Sequence, residues 1–365
     1  MKLDSPILLD NAGAWRTYLG GSLLARLHGR DGAADDHFPE EWIMSVVAAR
    51  NAGREHIQDE GMSRIAATGE TLRQFIERAP LECLGEACVK ARGTQMGVLL
   101  KLIDSSERLS IQVHPDRQKA MELFGSPYGK TECWHILGGR TIDGEAPCIY
   151  FGFKPGITRE RWKALFDAQD IPGMLGCMHR IEVKPGDTFL ISGGIPHAIG
   201  AGCFLVEIQE PTDYTIRTER STPSGLQIDD RMCHQGLGFE RMFECFHYDG
   251  QTEQATRERW SIPSRLLAAT DGGSVSQLIG PPETDYFQLN ELRVSGSLRI
   301  EGTGAFSGLY ILEGEGDLAA GGRHSRVAQA QQYFVPAACT SFTLTADPGR
   351  PILAMQAFGP QSAGR

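Results

Sequence analysis

Residues 110–134 read SIQVHPDRQKAMELFGSPYGKTECW, and residues 186–200 answer them with GDTFLISGGIPHAIG. Side chains alternate faces along a strand, so in Ile111-Gln112-Val113-His114 the polar pair Gln112 and His114 points one way and Ile111 and Val113 the other. A second strand, Thr131 to Leu137, carries Glu132 as a lone carboxylate among mostly apolar neighbours. His197 ends the Gly-rich turn after a third strand, Thr188 to Ile191. Taken singly, a strand His is more often a satisfied core or surface residue, and a lone Glu is often half of an ion pair. Together, two imidazoles, a carboxylate and an amide suit a borderline divalent ion, Zn²⁺ first, with Fe²⁺, Mn²⁺ or Co²⁺ as further options.

Gly186-Asp187 followed by Ser192-Gly193-Gly194-Ile195-Pro196-His197 is similar to the second sequence motif of the cupins, with Ser192 where Pro is usual. Within that superfamily, SIQVHP, GKTECW and GDTFLISGGIPHAIGAG resemble the type I mannose-6-phosphate isomerases, in particular the shorter bacterial form. The fold this implies is mainly β, two cupin (jelly-roll) barrels with short helical insertions. The resemblance also implies metal ligation by His114, Glu132 and His197, with Gln112 as a fourth ligand or a near neighbour. It further implies that Lys130 and Arg217 face the substrate. Arg217 lies 20 residues beyond His197, the distance at which the family carries an Arg, although Ile216 stands where an aromatic is common.

The composition agrees with a turn-rich β protein: 43 glycines in 365 residues is about 12%, against a typical ~7%. A formal net charge of −10 argues against nucleic acid or an anionic membrane as partner, so an anionic substrate requires a local basic patch. Nine cysteines without a C-x-x-C pair read as free thiols of a reducing compartment rather than as a disulfide framework. The first residues, MKLDSPILLDNAGAW, lack a signal peptide's apolar run, and the stretch near MGVLLKLI is far too short to span a bilayer. The expectation is a soluble cytoplasmic protein.

Along the chain, Thr71-Leu72-Arg73-Gln74 has the form of a capping box opening a short amphipathic helix that Pro80 stops. Gly97 to Ile103 reads as an apolar strand broken only by Lys101, and Asp104-Ser105-Ser106 turns the chain into the His114 strand. Between His114 and Glu132 a helix-like piece, Arg117 to Phe124, forms a wall or lid over the site. Lys130 and Glu132, two apart on one strand, share a face; a cation there suits a phosphate or a developing oxyanion, and a plain Lys–Glu neighbour pair is the simpler alternative. A second short helix spans Thr158 to Phe166, and Cys203 to Gln209 is a strand with Glu207 and Gln209 on one face.

Three units are expected: residues 1–250 as the metal-binding catalytic unit with helical insertions, 251–284 as a polar crossing segment with one strand pair, and 285–365 as a second cupin-like barrel. The turn Phe334 to Ser341 repeats the form of Ile191 to His197, with Ser341 at the place of His197. The second barrel is therefore expected to hold no metal and to serve packing on the first barrel or a homodimer contact. His324 reads as part of a solvent loop.

The function implied by the resemblance is a metal-dependent aldose–ketose isomerisation, mannose 6-phosphate to fructose 6-phosphate through an enediol, needing no redox cofactor. The metal holds the sugar and polarises oxygen, a base moves the proton between C2 and C1, and Arg217 steadies the charge. The base is left open among Lys130, Glu132 and a bound water. The alternatives are a cupin dioxygenase or decarboxylase, an isomerase of another sugar phosphate, and a non-catalytic sugar-binding regulatory cupin; fold alone decides none of these.

Overall fold

The structure, a computed structural model, describes residues 3–51 and 53–360. It is mainly β, as expected, and among the described residues its strands form sheets of eight, six, five and four members. The six-stranded and five-stranded sheets carry the site. The first runs in the order Thr188–Ile191, Glu132–Gly139, Cys203–Gln209, Leu99–Asp104, Glu40–Ile43, Ala12–Ala14. The second runs Ile216–Arg217, Gln112–Val113, His197–Ile199, Cys148–Phe153, Met178–Glu182. Every pairing in both is antiparallel, so one face of each strand can be apolar and the other polar.

The alternation read at Ile111 to His114 is realised. Ile111 and Val113 are buried in an apolar cluster with Phe153, Trp162, Phe166 and Phe243, which also takes in the helices Arg159–Asp167 and Ile171–Gly176. Gln112 and His114 turn to the opposite side. Thr158 caps the helix Arg159–Asp167 by accepting from the Arg161 amide. The helix Arg117–Phe124 follows directly on His114-Pro115, with Asp116 as its N-cap accepting from the Lys119 amide. Thr71 and Gln74 complete the capping box of Leu72–Arg78.

Pro80 does not simply end a helix: Ala79 closes Leu72–Arg78 and Pro80 opens a further helix, Pro80–Leu84, where its missing N–H costs nothing. The polar stretch after residue 250 is not a plain crossing, because Thr252 caps a helix, Glu253–Trp260, that buries Thr256 and Trp260. The hairpin of Arg265–Thr270 and Gly273–Ile279 does follow. His324 lies on a strand, Arg323–Ala328, exposed at the edge of the four-stranded sheet. The C-terminal strands, from Gln288–Val294 to Ile352–Phe358, form the four-stranded sheet and half of the eight-stranded one around their own core. Two N-terminal strands, Ile7–Asp10 and Arg64–Ile65, complete the edge of the eight-stranded sheet through Gln332–Val335.

Candidate metal centre

Register brings the residues together. His197 pairs with Gln112 on one side, and Gln112 pairs with Arg217 on the other; directly opposed residues of adjacent strands are neighbours on one face. From the six-stranded sheet, Glu132 stands opposite Gln209 and Ile191. Among the described residues, His114, Glu132 and His197 form a fully buried group whose ligand-capable atoms all lie within 4.8 Å of one another.

Backbone carbonyls fix the imidazoles. Nδ1 of His114 donates to Tyr214 O at 2.8 Å, and Nδ1 of His197 donates to Ile195 O at 2.8 Å. Each ring therefore turns an Nε2 lone pair inward, the arrangement a metal-ligating His needs. Glu132 Oε2 lies 3.2 Å from His114 Nε2, and Glu132 Oε1 lies 3.4 Å from His197 Nε2. Donors about 2.0–2.1 Å from a tetrahedral Zn²⁺ stand roughly 3.3–3.4 Å apart, so these separations fit one ion. Both Glu132 oxygens are buried without a hydrogen-bond partner, which is costly unless something charged is held there. The Gln112 amide reaches to 3.3 Å from His197 Nε2 and can offer its oxygen to the same point by rotating about its terminal bond. The residues present therefore fit a divalent cation.

The environment favours ligand-ready forms. Burial, and then the Lys130 ammonium, push the His114 imidazole down to about 3. Burial likewise lowers His197. Burial opposes ionisation of Glu132, but His114 and Lys130 outweigh it and hold the carboxyl below the usual range. Lys130 is itself lowered by burial, with Glu132 opposing. Its Nζ lies 3.1 Å from His114 Nε2 and 3.4 Å from Glu132 Oε2, so Lys130 and Glu132 face the same point, although Lys130 lies just before the strand Glu132–Gly139 rather than on it as expected.

Gln112, Lys130 and Arg217 line one narrow slot, together with Arg16, Lys101, Glu40 and Glu207. Arg217 Nη1 donates to the carbonyls of Thr215 and Met232, both at 3.2 Å. Beside the slot lies a groove of about 540 Å³ between Val46–Arg50 and Thr212–Tyr214. Asp213 joins the two, since it lines the groove and pairs with Arg16 at 2.9 Å.

Reading the sequence did not find the ionic floor of this slot. Lys101 Nζ sits 2.9 Å from Glu207 Oε1 and 3.7 Å from Glu40 Oε2, all three side chains no more than 5% exposed. Arg16 pairs with Glu40 at 3.1 Å. The indoles of Trp42 and Trp134 donate to Glu40 and Glu207 at 2.7 and 2.9 Å. The one signal was Lys101 itself, a cation inside an apolar strand, which must find a buried carboxylate. Trp134 also sets its ring edge-on to His197 at 5.3 Å.

The chain matches the family described as phosphomannose isomerase type I, catalytic domain, over residues 53–128, a stretch that includes Gln112, His114 and the helix behind them. It is 27% identical over 250 residues to the mannose-6-phosphate isomerase of Streptococcus mutans, covering 68% of this chain and 71% of that one. To the mannose-6-phosphate isomerase ManA of Bacillus subtilis it is 30% identical over 233 residues, 63% of this chain and 65% of that one. The crystal structure of the mannose 6-phosphate isomerase from Bacillus subtilis superposes with a TM-score of 0.72 at 21% identity, covering 97% of this chain and 99% of that chain. A zinc-bound mannose 6-phosphate isomerase superposes with a TM-score of 0.71 at 16% identity over 98% of this chain and 100% of that one. By sequence and by fold, the chain is similar to the type I phosphomannose isomerases.

Proposed function

We propose that the protein is a divalent-metal-dependent isomerase that interconverts mannose 6-phosphate and fructose 6-phosphate, with His114, Glu132 and His197 as metal ligands and Gln112 as the fourth. The observation that carries this reading is the Glu132 carboxylate, buried with no hydrogen-bond partner on either oxygen and facing two inward Nε2 lone pairs. A divalent ion bound there supplies a Lewis acid for the sugar's oxygens, with Zn²⁺ the first choice for two imidazoles and a carboxylate.

The charges around the slot support an anionic substrate. Arg16, Lys101, Lys130 and Arg217 are balanced by Glu40, Glu207, Asp213 and Glu132, four cations against four carboxylates. A divalent cation leaves a surplus that a phosphate dianion neutralises, in a chain whose overall charge is −10. Arg217, which donates from Nη1 to two carbonyls, has its other guanidinium N–H groups to offer an oxyanion or phosphate oxygens. The slot is too narrow for a whole sugar, about 30 Å³, so the substrate extends into the adjoining groove.

Isomerisation takes a proton from C2 of the aldose and returns one to C1 of the enediol. Lys130 Nζ is the group in this chain suited to move it, because burial lowers its affinity for the proton and places it next to the ligand cluster. Glu132 is a poor free base while it serves as a ligand. Arg217 holds the negative charge that develops on oxygen. The test is incubation with mannose 6-phosphate in D₂O: fructose 6-phosphate carrying deuterium at C1 is expected. Metal-replete protein that binds the sugar phosphate and never converts it would replace this reading with a sugar-binding regulatory protein.

A further inference from the structure

The segments that carry the proposed ligands meet at one backbone step, Pro115-Asp116. On one side lies Gly129, where an added Cβ would come within 2.8 Å of Pro115 O and the Arg117 amide. The Lys130 amide then donates to Pro115 O at 3.0 Å. On the other side lies Gly193, where a Cβ would meet Asp116 Cα at 2.5 Å. The neighbouring Gly194 amide donates to the His114 carbonyl at 2.7 Å. Only glycine allows such close backbone approach on both sides. The spacing between the His114, Glu132 and His197 segments is therefore set at this junction.

One exposed side chain from a distant part of the chain closes it. The His247 amide donates to Gly194 O at 2.8 Å, and its ring lies flat enough on Gly194 that a Cβ there would stand 2.5 Å from the imidazole. Its Nε2 reaches Asp116 Oδ2 at 2.9 Å, while Asp116 Oδ1 accepts from Lys119 N to cap the helix Arg117–Phe124. His247 thus bonds to the loop before His197 through its backbone and to the turn after His114 through its ring. It is 131 residues from Asp116 in sequence.

We propose that His247 is a positioning residue, a clip that holds the His114 turn against the Gly193-Gly194 loop and so preorganises the metal centre. The proposal rests on the metal-ligand reading given above. Groups that orient ligands from outside the coordination sphere typically alter metal affinity by ~10–100-fold. For a clip acting through the backbone, a loss of about tenfold is expected.

The experiment uses the full-length protein stripped of metal and titrated with Zn²⁺ in competition with a chromophoric chelator. Wild type, His247→Ala and His247→Gln are compared, and thermal unfolding of each metal-free form is recorded alongside. The expected result is a Kd about tenfold weaker in His247→Ala and restored to within about threefold in His247→Gln, whose amide can still donate to Asp116. A Kd for His247→Ala within twofold of wild type, whatever its melting temperature, overturns the clip. So does a Gln variant as weak as Ala. Failure of wild type to bind Zn²⁺ would instead overturn the metal reading itself, and the two failures are distinguished by the wild-type titration.

Discussion

Lys101→Met probes the buried ionic floor of the slot. The side chain is 2% exposed, with its ammonium 2.9 Å from Glu207 and 3.7 Å from Glu40. Glu40 retains Arg16 at 3.1 Å when Lys101 is removed, but Glu207 loses its paired ammonium and keeps the Trp134 indole as hydrogen-bond partner, with Lys130 farther off. Stranding one member of a buried ion pair costs about 3–5 kcal/mol. With an unfolding entropy of ~2.1 cal/mol/K per residue, 365 residues give about 0.77 kcal/mol/K, so the midpoint falls by roughly 4–7 °C. The loss has a pH signature. Burial, and then Glu132, already raise the Glu207 carboxyl, while Lys101 lowers it. Without Lys101 the folded state holds the Glu207 proton to higher pH than the unfolded chain, so stability declines as pH rises above the unfolded value. Lys101→Met should therefore be hurt more at pH 8 than at pH 5. Adding Glu207→Gln removes the stranded charge and keeps an acceptor for Trp134, so the double variant should recover more than half of the loss. Thermal and urea unfolding of the metal-free proteins by circular dichroism reads all of this. A single variant within about 1 kcal/mol of wild type, or a double variant with additive losses, would show that Lys101 and Glu207 are not a coupled buried pair.

His114→Ala and His197→Ala should lose metal and turnover together, which metal analysis beside a coupled assay will show. Arg217→Ala should retain metal and lose roughly 10²-fold in kcat, the scale of removing one donor to a developing oxyanion; full activity in that variant would remove Arg217 from the reaction. The metal-free protein should lose stability as pH falls from about 6.5 toward 3. With the His114 imidazole pushed down to about 3 by burial, the unfolded chain binds more protons than the folded one throughout that window. His114 alone contributes up to roughly 4–5 kcal/mol across it, and a flat urea-unfolding profile between pH 7 and pH 5 would contradict this.

Local signals carried much of the fold. The strand Cys203–Gln209 and the helix Arg117–Phe124 have the bounds their alternation and flanking Gly and Pro indicate, and Thr71-x-x-Gln74 forms its capping box. Gln112, His114, Glu132, Lys130 and His197 could be singled out because each is a polar residue where an apolar strand or a Gly-rich turn makes it conspicuous. What stayed hidden depends on pairing at long range. Arg16 meets Asp213 across 197 residues, and Ile7 meets Phe334 in a strand pair, with nothing near either partner to announce the other. The helix Glu253–Trp260 escaped periodicity because only Thr256 and Trp260 are buried along it, too thin an apolar stripe to stand out from a linker. His247 was hidden for the same reason as Arg16, since its partners Asp116 and Gly194 belong to other segments.

On the proposed reading, the His114, Glu132 and His197 cluster holds a divalent ion needed to isomerise mannose 6-phosphate. The most direct measurement is the rate of fructose 6-phosphate formation by the protein as purified, after removal of metal by a chelator, and after Zn²⁺ or Co²⁺ is added back. Turnover that disappears with the chelator and returns with the metal is the predicted result. Turnover unchanged in protein shown to be free of metal, or none in metal-replete protein, would contradict it.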